Sequence, residues 1–67
     1  MSVARVTEIT SSSSESFEEA IKQGVERANQ TLQNLKGAWI QDQTVVIENG
    51  QIKEFRVNMK VTFILKG

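Results

Sequence analysis

Residues 2–10, SVARVTEIT, alternate in character, with Val3, Arg5, Thr7 and Ile9 on one side and Ala4, Val6 and Glu8 on the other. Period two is the repeat of a strand. The four serines at 11–14 read as a polar loop into a helix. Ser16 followed by Glu19 matches a capping box, in which side chains satisfy free amides at a helix start. Ser13 with Ser16 offers a second start one turn earlier.

The period then changes. Phe17, Ala20, Ile21, Gly24, Val25, Ala28, Thr31, Leu32 and Leu35 recur at three- and four-residue steps, which predicts an amphipathic helix of about five turns. Glu18, Glu19, Lys22, Gln23, Glu26, Arg27, Gln30 and Gln33 fall on its other faces. Gly37 stands where a left-handed cap residue would end it.

Two alternating runs, AWIQDQTVVIE (38–48) and QIKEFRVNMKVTFILK (51–66), flank Asn49-Gly50. Asn-Gly in that setting predicts a hairpin through a type I′ turn. Phe55, Val57, Met59, Val61, Phe63 and Leu65 form one continuous apolar face of the last strand. Ile52, Glu54, Arg56, Asn58, Lys60, Thr62 and Ile64 point the other way.

The element order is therefore β-α-β-β, an α+β fold of one domain over residues 1–67. If the helix carries the chain back across the sheet, the C-terminal strand lies in the middle. The sheet is then three-stranded and antiparallel in the order 1-3-2, with the helix on the apolar face. The opposite face, carrying Trp39, Arg56 and Ile64, is left open for neighbouring subunits.

An undistorted two-residue turn sets Trp39 opposite Lys60 and Gln43 opposite Arg56. It also turns Asp42 and Thr44 toward the core. A bulge in the second strand would remove that conflict and flip some of the facings.

Composition narrows the function. A chain of 67 residues buries only about 60% of the surface that its unfolded form exposes, and such scaffolds need disulfides, a metal or self-association. With no cysteine and no histidine, disulfides and ordinary zinc sites are excluded, so a homo-oligomer is expected. The same absences exclude Ser-His and Cys-His nucleophiles. The glycines at 24, 37, 50 and 67 are too scattered for a phosphate loop. A binding or structural protein is expected rather than an enzyme.

Lys plus Arg and Asp plus Glu balance at eight each, with no basic run to attract nucleic acid. No apolar stretch approaches the roughly 20 residues of a membrane span, and the first residues lack a signal-peptide pattern. A cytoplasmic location, with neither nucleic acid nor membrane as partner, is the expectation.

Three residues are candidates for ligand contact. Trp39, the single tryptophan, is either a stacking platform or an aromatic anchor between subunits, where Trp and Arg are enriched. Arg56 can grip an anion through its forked guanidinium or pair with a carboxylate such as Glu54 or Glu8. Arg27 on the helix is either a ligand contact or a solvated, ion-paired residue. Asp42, Glu48 and Asn49 offer oxygens to a cation but lack the dense acidic spacing of a dedicated loop, so no metal site is assigned.

Three strings, VTEITSSSSESFEEAI, VERANQTLQNL and FRVNMKVTFIL, together resemble the dodecins. These are small β-α-β-β proteins that assemble as hollow twelve-subunit shells and, in many members, bind flavins. The carrying patterns are S-x-S-F at the helix start, RA-x-x-T-L-x-x-L at its end and F-x-V-x-M-x-V-x-F-x-L in the last strand.

The resemblance implies a homododecamer that binds or stores a small molecule. Flavin, as flavin mononucleotide or riboflavin, is the implied cofactor, with coenzyme A the weaker alternative. It also implies site positions. Flavin-binding members carry a stacking tryptophan two residues after the helix-ending leucine, which is Gly37 here. A glutamine that hydrogen-bonds the ring edge corresponds to Arg56, and a frequent arginine of the second strand to Thr44.

Glycine offers no π surface, and a lost stacking partner forfeits about 1 kcal/mol beyond burial. Arginine cannot accept a hydrogen bond from the flavin N–H. Flavin binding is therefore expected to be weak, altered or lost. For coenzyme A, Arg27 matches a basic helix position, whereas Gln33 and Ile64 stand where further basic residues are expected.

Overall fold

The computed structural model describes residues 3–65. Within them β1 (Val3–Ser13), α1 (Phe17–Thr31), β2 (Leu35–Glu48) and β3 (Gln51–Leu65) follow in order. They form one antiparallel sheet in the order β1-β3-β2, the expected topology. Ser2 and Lys66, included in the expected strands, lie outside the described residues.

β3 owes its central place to its two faces. Val57, Met59 and Val61 are fully buried, with Ala20 of the helix, and Phe63 is nearly so. Ile9, Phe17, Ile21, Val25, Leu32, Leu35 and Ile40 close around this core. The Phe17 and Phe55 rings meet edge to face, 5.1 Å between centroids, a favoured aromatic geometry. Helix and sheet approach most closely at Gly24, where an added Cβ would stand 2.9 Å from Met59 Cε and 3.0 Å from Ser11 Cβ.

The serine run is strand rather than loop. Ser11, Ser12 and Ser13 pair with Val57, Arg56 and Phe55, because β3 is long enough to offer them partners. Ser13 is buried, and its Oγ accepts from the Glu15 N–H at 3.0 Å. Ser16 is the N-cap, its Oγ accepting from Glu19 N–H at 3.0 Å. This half of the capping box is present, while Glu19 Oε1 accepts from the Gln23 side chain instead.

The helix is shorter than its apolar repeat suggests, 15 residues instead of about five turns. It ends at Thr31, with Leu32 N–H donating to Ala28 O at 2.7 Å. Gly37 does not cap it. Asn34, at φ 64, makes the left-handed turn, a conformation that Asn tolerates better than most side chains. Ile64 N–H then donates to Asn34 O, and β2 begins at Leu35, three residues earlier than the sequence pattern indicates.

The hairpin turn has the expected form, with φ 53 at Asn49 and 75 at Gly50, both positive as type I′ requires. Its register differs from the undistorted one. Val46 pairs with Glu54 but Ile47 with Ile52, leaving Lys53 as an extra residue in β3. Asp42 pairs with Asn58 but Ile40 with Met59, leaving Gln41 extra in β2.

The two irregularities cancel. Between them Thr44, not Gln43, lies opposite Arg56, and Gln43 faces Val57. Beyond them Trp39 is opposite Lys60 as expected. The bulge at Gln41 thus takes Asp42 and Thr44 off the core face.

Candidate functional site

Residues of β3 that alternate with the buried apolar row project from the sheet away from the helix. Their partners on β1 and β2 form transverse rows on that outer face. In order from the hairpin these are Ser12–Arg56–Thr44, Thr10–Asn58–Asp42, Glu8–Lys60–Trp39, Val6–Thr62–Gly37 and Ala4–Ile64. Successive rows are about 7 Å apart, two residues along an extended chain.

Trp39 lies in the open here, 65% exposed. The Lys60 ammonium stands over its ring, 5.6 Å from the centroid, within the range of a cation–π attraction. Gly37 occupies the next row, and a Cβ built on it would meet nothing within 4 Å. Its backbone φ is not positive, so a side chain could be carried there without strain.

Arg56 donates through Nε to Glu54 Oε1 at 3.5 Å, the carboxylate partner that the sequence suggested. The Ser12 hydroxyl is the main influence holding the Glu54 carboxyl below its ordinary value. Slight burial opposes it, and the charges of Arg56 and Lys53 add to it. One row along, Thr10 Oγ1 donates to Asn58 Oδ1 at 2.7 Å, so the Asn58 carbonyl is engaged and its amide protons face outward.

The candidates do not converge. Trp39 and Arg56 share the outer face but are separated by four residues of β3, about 13 Å. Arg27 is across the sheet, on the helix. It is exposed and borders an open groove of ≈ 480 Å³ between α1 and β1, with Ser11, Gln23, Gly24 and Thr31. Thr44, exposed on β2, is the direct cross-strand neighbour of Arg56.

Lys60 is the residue of this site that sequence reading did not single out. Its opposition to Trp39 followed from the turn, but its choice of the indole over Glu8 is a side-chain fact with no sequence signal. Among the described residues no group of three or more acidic side chains could hold a metal ion. No helix is long and apolar enough to cross a membrane.

Comparison with known proteins agrees with this architecture. The family model for dodecin matches residues 3–66. The structure of dodecin from Streptomyces davaonensis superposes with a TM-score of 0.95 at 38% identity, over 98% of this chain and 97% of that one. Dodecin from Streptomyces coelicolor gives 0.94 at 32% identity, over 98% and 94%.

A calcium-chelating antigen of Mycobacterium tuberculosis, described as a calcium dodecin with a novel calcium-binding site, gives 0.83 at 26% identity, over 96% and 91%. No curated protein sequence matches the chain significantly. With the family model spanning nearly every residue and the β1-β3-β2 sheet over one helix in place, the chain belongs to the dodecin family.

Proposed function

We propose that this protein is a homo-oligomeric small-molecule binding and storage module, a homododecameric shell of the cytoplasm rather than an enzyme, whose flavin binding is weak, altered or lost. The observation that carries the last part is Gly37. It stands at the position where the family resemblance places a stacking indole, and the space beside it is open. The aromatic surface that exists, Trp39, is one row away.

Arg56 adds to this reading. Its guanidinium brings only donors to the position where a glutamine would both donate and accept. Coenzyme A has less support, because Arg27 lies on the helix with Gln33 and Ile64 uncharged. For self-assembly, the support is the apolar surface left in the open: Val3, Val6, Ile47 and Ile52 are each more than half exposed.

A second reading, in which the open face serves assembly alone, draws on the same surface and on the 65% exposure of Trp39. Titration of the purified protein with riboflavin, flavin mononucleotide and coenzyme A, alongside light scattering, decides between them. Strong quenching of flavin fluorescence at micromolar protein would refute the weakened flavin site. Shells that bind none of the three favour the structural reading, and a monomer in dilute buffer contradicts both. In a Trp39→Ala variant, loss of assembly without a ligand phenotype marks an anchor, and intact shells with lost ligand mark a platform.

A further inference from the structure

The outer face of the sheet is divided in two. Toward the hairpin its rows carry Asp42, Asn58, Arg56 and Glu54. Toward the other end, Val6, Thr62 and Gly37, then Ala4 and Ile64, carry no charge at all. The row Glu8–Lys60–Trp39 is the boundary.

On the uncharged side Gly37 and Thr62 are small, Val6 is 55% exposed, and nothing overhangs Gly37. They make a flat floor of about 10 Å across three strands, and the Trp39 indole stands at its edge.

At the boundary one positive charge lacks an acidic partner. Among the described residues the ion pairs are Lys53 with Glu48 and Arg56 with Glu54. Lys60 rests against the indole instead of pairing with Glu8, its cross-strand neighbour. A ring quadrupole attracts an ammonium but accepts no strong hydrogen bond from it, so the three N–H donors of Lys60 remain available to an anion.

We infer that this boundary is a binding site for a planar aromatic anion, whose ring lies over Val6, Thr62 and Gly37 against Trp39 and whose carboxylate, sulfonate or phosphate is held by Lys60. The inference rests on the reading of the protein as a small-molecule module and assigns that module a place and a charge preference. Apolar contact supplies attraction without direction, and the charge-assisted hydrogen bond to Lys60 supplies orientation. A cationic aromatic is disfavoured, because Lys60 already holds the cation position at the indole.

Trp39 is the single tryptophan of the chain, so its emission reports on this site directly. The test is titration of the assembled protein with 2-naphthoate and with neutral 2-naphthamide, read by Trp39 fluorescence. Naphthoate is expected to bind about tenfold more tightly than the amide, the worth of one charge-assisted contact, and to weaken as salt rises. Lys60→Met should abolish the preference while Lys60→Arg retains it, with circular dichroism and light scattering showing both variants folded and assembled.

Equal binding of the two probes, or naphthoate binding that leaves Trp39 emission unchanged, overturns the site. A flavin or coenzyme A complex that persists in Trp39→Leu and shows no charge preference overturns it while leaving the family reading intact. Assembled shells that bind no probe at all refute both.

Discussion

Gly37→Trp should create the stacking surface that this chain lacks. An added Cβ meets no atom within 4 Å, and the position pairs with Thr62 inside a regular stretch of the β2–β3 ladder. The folded protein therefore pays no steric penalty. Replacing glycine within a strand should itself stabilise by about 0.5–1 kcal/mol through the unfolded state.

For a stacked flavin, covering about 80 Å² of indole face is worth about 2 kcal/mol at 25 cal/mol per Å². Aromatic geometry adds about 1 kcal/mol, and immobilising the new side chain takes back about 1 kcal/mol. The net of about 2 kcal/mol is a ~30-fold fall in the flavin dissociation constant.

Quenching of riboflavin fluorescence, titrated with wild type and variant at equal shell concentration, measures it. Riboflavin carries no phosphate, so the comparison is free of any change in charge attraction. If the variant folds and assembles yet its riboflavin affinity stays within about twofold of wild type, the missing indole is not what limits flavin binding here.

Gly24→Ala sets a gain of about 1 kcal/mol in helix propensity against overpacking of about 1–3 kcal/mol. Met59 Cε at 2.9 Å can yield, but Ser11 Cβ at 3.0 Å is tied to the backbone, so the variant should be less stable by about 1 kcal/mol in chemical denaturation. Ser16→Ala removes the acceptor for Glu19 N–H and should cost about 1 kcal/mol in the same assay.

Deleting Gln41 should be tolerated, because its neighbours Ile40 and Asp42 already pair with the adjacent residues Met59 and Asn58. Deleting Ile40 instead should be strongly destabilising, since it removes a residue packed on the core. Glu54 titrates below its ordinary value of 4.5 in the folded protein. Its contribution is therefore complete above the unfolded value and is lost as pH falls through the lower folded value. Arg56→Met should move the Glu54 carboxyl resonance back toward the ordinary titration range in nuclear magnetic resonance.

The elements that could be read from the chain are those in which one pattern has one cause. The apolar row of β3 alternates because a helix covers one face of the strand, and Asn49-Gly50 is a turn because both residues must take positive φ. The helix end misleads because Leu32 and Leu35 keep three- and four-residue spacing while reaching the same core from different elements, the helix cap and β2. Spacing alone does not show that the backbone turns at Asn34.

The register was legible at Trp39 and Lys60 but not between them and the turn. No residue type announces the extra residues Gln41 and Lys53, and because they offset one another the rows beyond them look undistorted. Of the candidate site, the opposition of Trp39 to Lys60 followed from the turn. The separation of Arg27 from the outer face followed from the topology, since a helix lies on one side of a sheet.

These two results bear on whether Trp39 is needed for assembly. The sheet is far longer than the helix that covers it: the molecule extends 52 Å, whereas 15 helical residues span about 22 Å. Apolar residues beyond the helix, above all the Ile47–Ile52 pair at 63% and 55% exposure, are the ones that the fold cannot bury by itself. They lie eight residues of β3 from the Trp39 row, about 26 Å. A neighbouring subunit that covers the hairpin tip does not thereby cover the indole. The demand for burial that makes self-association necessary is met at the tip, and the Trp39–Lys60 boundary, with its open floor and unpaired ammonium, is left free to receive a ligand.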